Sequence, residues 1–297
     1  MRKLLSLLLI AGTLTACGRR AHDVADAFRW EEQLEPGTTI HLRTVTGRIE
    51  VTPVDGRSAR VFGSTHWVGR KDPIRFAWHR DGDEVYVCAL WSSRGDCTDD
   101  RGFSGSDHSW LDIFSLFKRR STNAMASLRL SLPPGVKVDA HTKNGSISMV
   151  GATVGATART LNGSINIEHS AGPIEARGTN GSIEVSLDSI GAEDALVLQS
   201  VNGSTTAVVP ADFEGEVQLS TVNGAVRSDF PITTDGEISR HRLHGQIGSS
   251  TREVVLKTVN GNISLLKQSE STGASQSGAV DAPRARRVER RAPRARN

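Results

Sequence analysis

The chain has 297 residues, of which 37% are apolar and 23% charged, so a packed core is available and wholesale disorder is excluded. Aromatics make only 5% against 29 glycines, a balance that fits a turn-rich β protein better than a helical one. The net charge of +3 is uneven: residues 281–297 carry seven Arg against Asp281 and Glu289, while 17–280 hold 27 basic and 31 acidic residues. The basic balance therefore belongs to a tail, which argues against a nucleic-acid-binding domain with its basic patch on the fold.

Residues 1–16 read as a secretion signal. Arg2 and Lys3 form a positive start, and the apolar run Leu4–Ile10 is too short to span a bilayer. Leu14-Thr15-Ala16-Cys17 resembles the bacterial lipobox. That resemblance implies a lipidated Cys17 at the mature N-terminus, followed through residue 36 by a tether, with several acyl chains giving stable anchoring. Gly18 follows where Asp would favour inner-membrane retention, so the outer membrane is the expected site in a host with two.

Residues 37–267 form the expected domain. Its first strands are expected over 40–51, 59–68, 74–79, 84–91 and 128–132, with Asp81-Gly82 as a turn. Cys88 and Cys97, an even pair in an exported chain, predict a disulfide. An insertion spans 92–123. Within it Ser109 can cap a helix that places Trp110, Ile113, Phe114 and Phe117 on one stripe. That helix either folds back onto the domain, the commoner fate of such a stripe, or contacts a membrane or partner.

The strongest signal is repetition. His141-Thr-Lys-Asn-Gly-Ser-Ile-Ser-Met149, Arg159-Thr-Leu-Asn-Gly-Ser-Ile-Asn-Ile167 and Lys257-Thr-Val-Asn-Gly-Asn-Ile-Ser-Leu265 overlay one another. The Asn-Gly turns are Asn144-Gly145, Asn162-Gly163, Asn180-Gly181, Asn202-Gly203, Asn223-Gly224 and Asn260-Gly261. Arg43–Val51 is a degenerate early copy, and 242–247 another with His244 at the Asn position and Gly245 at the Gly position. Glycine spacings run from 16 to 22 residues, and apolar or small residues alternate on both sides of each Asn. Period two on both sides predicts two short strands per repeat. Asn-Gly suits the join because both residues tolerate positive φ.

Two all-β architectures satisfy the pattern. One is a parallel, β-helix-like solenoid with Asn ladders at a corner; the other is an antiparallel meander of Asn-Gly hairpins. The near-constant period favours the solenoid. The recurring Thr-Val-Asn-Gly-Ser-Ile pattern behind a lipoprotein signal resembles the bacterial DUF4097 family, which carries an adhesin label. The resemblance covers about residues 37–267, implies a β-solenoid-like fold and supplies no catalytic residues.

Residues 268–297 lose all apolar period and read as a disordered Arg-rich tail. Arg286, Arg287, Arg290 and Arg291 are its candidate contacts for an anionic envelope polymer, with Trp91, Trp110 and Phe114 the candidates nearer the domain. Nothing in the sequence calls for a cofactor. His241 and His244 lack a partner at metal-ligand spacing, and the outward acids Glu168, Glu184, Asp188 and Glu216 fall at unlike repeat positions. The expectation is a lipid-anchored, non-catalytic binding or adhesion module of the envelope, in contact with the membrane and an anionic polymer or another envelope protein, and with no nucleic acid. A structural scaffold and a polysaccharide-active enzyme are the alternatives.

Overall fold

A computed structural model describes residues 21–23, 28–68, 74–91, 97, 124–234 and 239–269. Among these residues the fold is all-β, without a helix. The N-terminal strands are β1 (Ala21–Asp23), β2 (Phe28–Gln33), β3 (Thr39–Thr46), β4 (Ile49–Pro53), β5 (Ser58–Val68), β6 (Arg75–Asp81), β7 (Glu84–Leu90) and β8 (Ala124–Leu132). The repeats supply β9 (Lys137–Asn144), β10 (Ile147–Val150), β11 (Ala156–Asn162), β12 (Ile165–Ser170), β13 (Ile174–Asn180), β14 (Ile183–Leu187), β15 (Ala195–Gln199) and β16 (Thr205–Val209). The chain closes with β17 (Gly215–Ser220), β18 (Val226–Ser228), β19 (Arg242–Ile247), β20 (Glu253–Lys257) and β21 (Ile263–Lys267).

The strands form two sheets. Sheet 1 runs β1-β5-β8-β4-β10-β12-β14-β16-β21-β18, with β2 also on β5; sheet 2 runs β19-β17-β20-β15-β13-β11-β9-β3-β7-β6. The two strands flanking an Asn-Gly lie in different sheets, so the Asn-Gly hairpins of the meander alternative do not form. Each strand pairs instead with its equivalent in the neighbouring repeat, in parallel: Ala158 opposite Ala140 and Ala176, Ile165 opposite Ile147 and Ile183. One strand from each sheet, joined at an Asn-Gly corner, makes a rung. The antiparallel strands β1, β2, β5, β6 and β19 lie at the ends of the sheets.

Alternation along each strand builds the core. In β9 and β11 every second residue is buried, and in sheet 1 Ile49, Ile147, Ile165, Ile183 and Ile263 stack into one column. Sheet 2 adds a column of small residues to the same core, Ala140, Ala158 and Ala176, all fully buried. Bulky residues on one sheet against small ones on the other keep the layers close without voids. Burying one such Ile side chain stabilises by about 2 kcal/mol.

Three expectations need correction. Residues 17–36 are not all tether: β1 and β2 pair with β5, and Trp30 and Leu34 are buried in the core. Residues 242–247 are no corner, because β19 runs antiparallel to β17 and places Gly245 mid-strand. The asparagines of the corners do not adopt positive φ; among the described non-glycine residues only His169 does. The signal at 1–16, Cys17, the insertion 92–123 apart from Cys97, with its Trp110 and Phe114, and the tail arginines Arg286, Arg287, Arg290 and Arg291 lie outside the described residues.

Candidate functional site

The repeat residues lock the corner. In the sequence Thr-x-Asn-Gly the buried Thr hydroxyl donates to the Gly carbonyl of the next rung: Thr142 to Gly47 at 3.1 Å, Thr160 to Gly145 at 2.9 Å, Thr258 to Gly203 at 2.9 Å. Each corner glycine is required by close approach. A Cβ on Gly163 would lie 2.1 Å from the Gly145 oxygen, and one on Gly203 2.1 Å from that of Gly181. The Asn side chains then form an exposed ladder, Asn162 Nδ2 donating to Asn144 Oδ1, Asn180 to Asn162 and Asn202 to Asn180, each at 2.8 Å. Asn260 and Asn223 continue it beyond Asn202. The corner is thus a structural seam: its polar groups are spent largely on one another.

A partly buried ionic cluster stitches the second sheet on its outer side. His41 of β3 has one ring nitrogen 3.0 Å from Asp139 Oδ2 of β9 and the other against the carboxylate of Glu84, which precedes Val85 on β7. The ring stacks on Tyr86, with centroids 4.3 Å apart. Arg43, whose side chain is only 2% exposed, donates to Asp139 Oδ2 at 2.6 Å and to the Asp139 carbonyl at 2.8 Å. Burial alone would raise the Asp139 pKa, but the hydrogen bond from His41 and the charge and hydrogen bond of Arg43 outweigh it and hold the carboxyl well below the usual range. The cluster binds three neighbouring strands together. Cys88 of β7 bonds to Cys97 and, with Leu90, packs a small apolar cluster against Val45, Ala77 and Tyr86 on this same side.

The open chemistry lies on the other sheet. A groove crosses the outer side of sheet 1 over β2, β5, β8 and β4, lined by Arg29, Arg60, Phe62, Arg129, Ser131 and Glu31. It continues past Arg48, Glu50, Met125, Ser127 and Ser146. Strand register creates it: Phe62 on β5 stands between Arg29 on β2 and Arg129 on β8, and Arg129 stands beside Glu50 on β4. Four arginines thus surround a half-buried ring with two glutamates among them. Arg60 pairs with Glu31 at 2.9 Å, while Arg48 and Arg129 share Glu50 at 3.2 and 3.0 Å. The Arg129 hydrogen bond, ahead of a smaller opposing effect of burial and then of the Arg48 hydrogen bond, lowers the Glu50 pKa. Arg29 is exposed and pairs with no carboxylate among the described residues.

Sequence reasoning reached the disulfide and the corners but not this groove. Trp91 follows β7 and is half-buried, away from the groove lining. The aromatics before the repeats mostly plug the end of the sandwich: Phe28 stacks on Phe76 at 5.2 Å and Trp30 tilts against Trp78 at 6.2 Å. The grouping of Arg29, Arg48, Arg60 and Arg129 follows from β8 lying between β4 and β5, which no spacing in the sequence announces. Their outward positions on alternating strands were the one available signal. Among the described residues no group of three or more His, Cys, Asp or Glu side chains is placed to hold a metal ion.

Residues 134–266 match the family described as Toastrack DUF4097. A solved structure of a "putative cell adhesion protein" from Clostridium sporogenes shares 11% identity, with 82% of this chain and 100% of that one covered at a TM-score of 0.47. A "putative adhesin" from Bacteroides fragilis shares 10%, covering 82% and 98%, at a TM-score of 0.27. Likenesses this loose carry no argument about function. No curated protein matches the chain.

Proposed function

Taking residues 134–266 as a Toastrack DUF4097 domain, we propose that the protein is a non-catalytic binding module of the bacterial envelope, held to a membrane through lipidated Cys17. The domain is read as a parallel β-solenoid capped by antiparallel strands, a stiff support that holds a binding face at a fixed orientation. Parallel, in-register pairing from β9 to β16 supports that winding. The lipobox-like Leu14-Thr15-Ala16-Cys17 supports the anchor.

The observation that carries the binding reading is the groove of sheet 1, where arginines from three strands and from the corner before β4 surround Phe62 with an excess of positive charge. Glu31 and Glu50, its acids, are tied up by arginines, an arrangement suited to recognition rather than proton transfer.

The test is retention of solubilised envelope material on the full-length protein in neutral detergent, at low and physiological salt. A second sample has the seven tail arginines changed to Ser. Retention by both proteins that survives salt is expected. Retention that needs the tail and fades with salt would replace the binding face with diffuse electrostatic tethering.

A further inference from the structure

The groove has a chemistry narrow enough to name its ligand. We propose that it binds a carboxylated linear polysaccharide lying across β2, β5, β8 and β4, an inference that rests on the binding-module reading above. Arg29, Phe62 and Arg129 occupy three successive strands at matched register. Neighbouring strands lie ~4.8 Å apart, so the backbone positions of the two arginines flank that of Phe62 at a separation of about two strand spacings. A sugar ring can lay its apolar C–H face on Phe62 while carboxylates on adjoining sugars meet the guanidinium forks, which match carboxylate geometry bidentately.

Charge selects an anion. The four arginines outnumber Glu31 and Glu50, and Arg29 is left without a carboxylate among the described residues. The internal pairs are exposed, with Arg48, Arg60 and Arg129 side chains at 62%, 57% and 62%, so they reorganise at little cost. Hydroxyl groups select a sugar over a bare polyanion: Ser127 and Ser146 at one side and Ser131 at the other line the groove and can bond ligand hydroxyls. A recessed ring between arginines also suits a single polymer chain better than a flat layer of lipid headgroups, which is met by protruding cations.

The probe is polygalacturonate, titrated calorimetrically into the full-length protein in neutral detergent. Comparators are fully methyl-esterified polygalacturonate, polyglutamate and phosphatidylglycerol vesicles. Polygalacturonate is expected to bind, and its methyl ester at least about tenfold more weakly. The double variant Arg29→Ser, Arg129→Ser should lose about tenfold or more, while the variant lacking tail arginines keeps its affinity. Phe62→Ser should weaken polygalacturonate binding while the variant still unfolds in one cooperative transition, and Arg29→Ser alone, at an exposed position, guards against misfolding of the others.

Equal binding of polyglutamate would overturn the sugar assignment, and binding of vesicles in place of polygalacturonate would make the groove a membrane contact. Loss of binding only in the tail variant would remove the groove from the interaction. If envelope material is retained through Arg29 and Arg129 yet polygalacturonate does not compete, the ligand class is wrong and the binding module stands. If nothing is retained, both fall.

Discussion

The interior rungs, β9 to β16, and the two ends of the stack are built on different rules. In the interior, order along the chain is order in space: from β9 to β16 successive rungs are neighbours in both sheets. At the ends that order is exchanged. β3 and β4 lie inside β7 and β8, and β20 and β21 are inserted between β15–β16 and β17–β18. The first and last rungs of the sequence are therefore each clamped by two parallel neighbours instead of one, which suppresses the fraying expected of terminal strands. Three of the four outermost positions go to antiparallel strands, with the short parallel β18 at the fourth, and aromatics plug both ends, Phe28, Trp30 and Phe76 at one and Phe213 against Phe230 at the other. Repetition builds length, and its interruption closes the two edges that repetition would leave open.

The largest expected effect breaks the interior rule. Gly163→Ala would put a Cβ 2.1 Å from the Gly145 carbonyl oxygen, at a φ of +150°, with backbone on the far side that cannot yield. The expected loss is about 4 kcal/mol or more, read as a shift in urea midpoint. Gly56→Ala, in the connection between β4 and β5, has a φ of +93° but nothing within 4 Å, so only the conformational cost of about 1–2 kcal/mol applies. Equal losses would mean that corner glycines serve for dihedral freedom rather than close packing.

Legibility follows the same division. Parallel pairing brings together residues one period apart, so in the interior the repeat is itself a contact map. The burial of Ala156, Ala158 and Thr160 before Asn162, and of Ile165 and Ile167 after it, could be read directly from alternation. The wider roles of Thr and Asn could not, since a hydroxyl donating to the next rung and an amide ladder need the stacking distance. At the ends the chain exchanges order and the period fails. The neighbours of Phe62 come from positions 29 and 129, and the clamp joins positions 41, 43, 84 and 139. Overlay of the degenerate early copy on the first full repeat sets His41 opposite Asp139, but no repeat interval reaches Glu84 or the neighbours of Phe62.

The clamp offers the next largest effect, at the junction where the interior rule gives way. Asp139→Asn removes the counter-charge of Arg43, which is 2% exposed, and is expected to cost about 3 kcal/mol at neutral pH. Because the folded pKa of Asp139 is depressed, its contribution is complete above the unfolded-state value of about 3.9 and is lost as pH falls through the folded value. Urea midpoints measured down the acid range should therefore fall more steeply for the parent than for Asp139→Asn. Parallel curves would show that the cluster contributes no pH-dependent stability.

The smallest effect sharpens the comparison from within the interior, where one rung departs from the repeat. Thr205 occupies the column held by Ile183 on one side and Ile263 on the other, is fully buried, and its hydroxyl has no hydrogen-bond partner among the described residues. Valine keeps the branched shape and removes the unpaired group, so Thr205→Val is expected to stabilise by about 1 kcal/mol. Thr160→Val makes the same chemical change where the hydroxyl donates to the Gly145 carbonyl at 2.9 Å, and is expected to destabilise by about 1 kcal/mol. The opposite signs come from one difference, whether the hydroxyl meets a corner carbonyl in the next rung. Urea titrations of the two variants giving shifts of the same sign would mean that the Thr of Thr-x-Asn-Gly is there for its shape and not for its hydrogen bond.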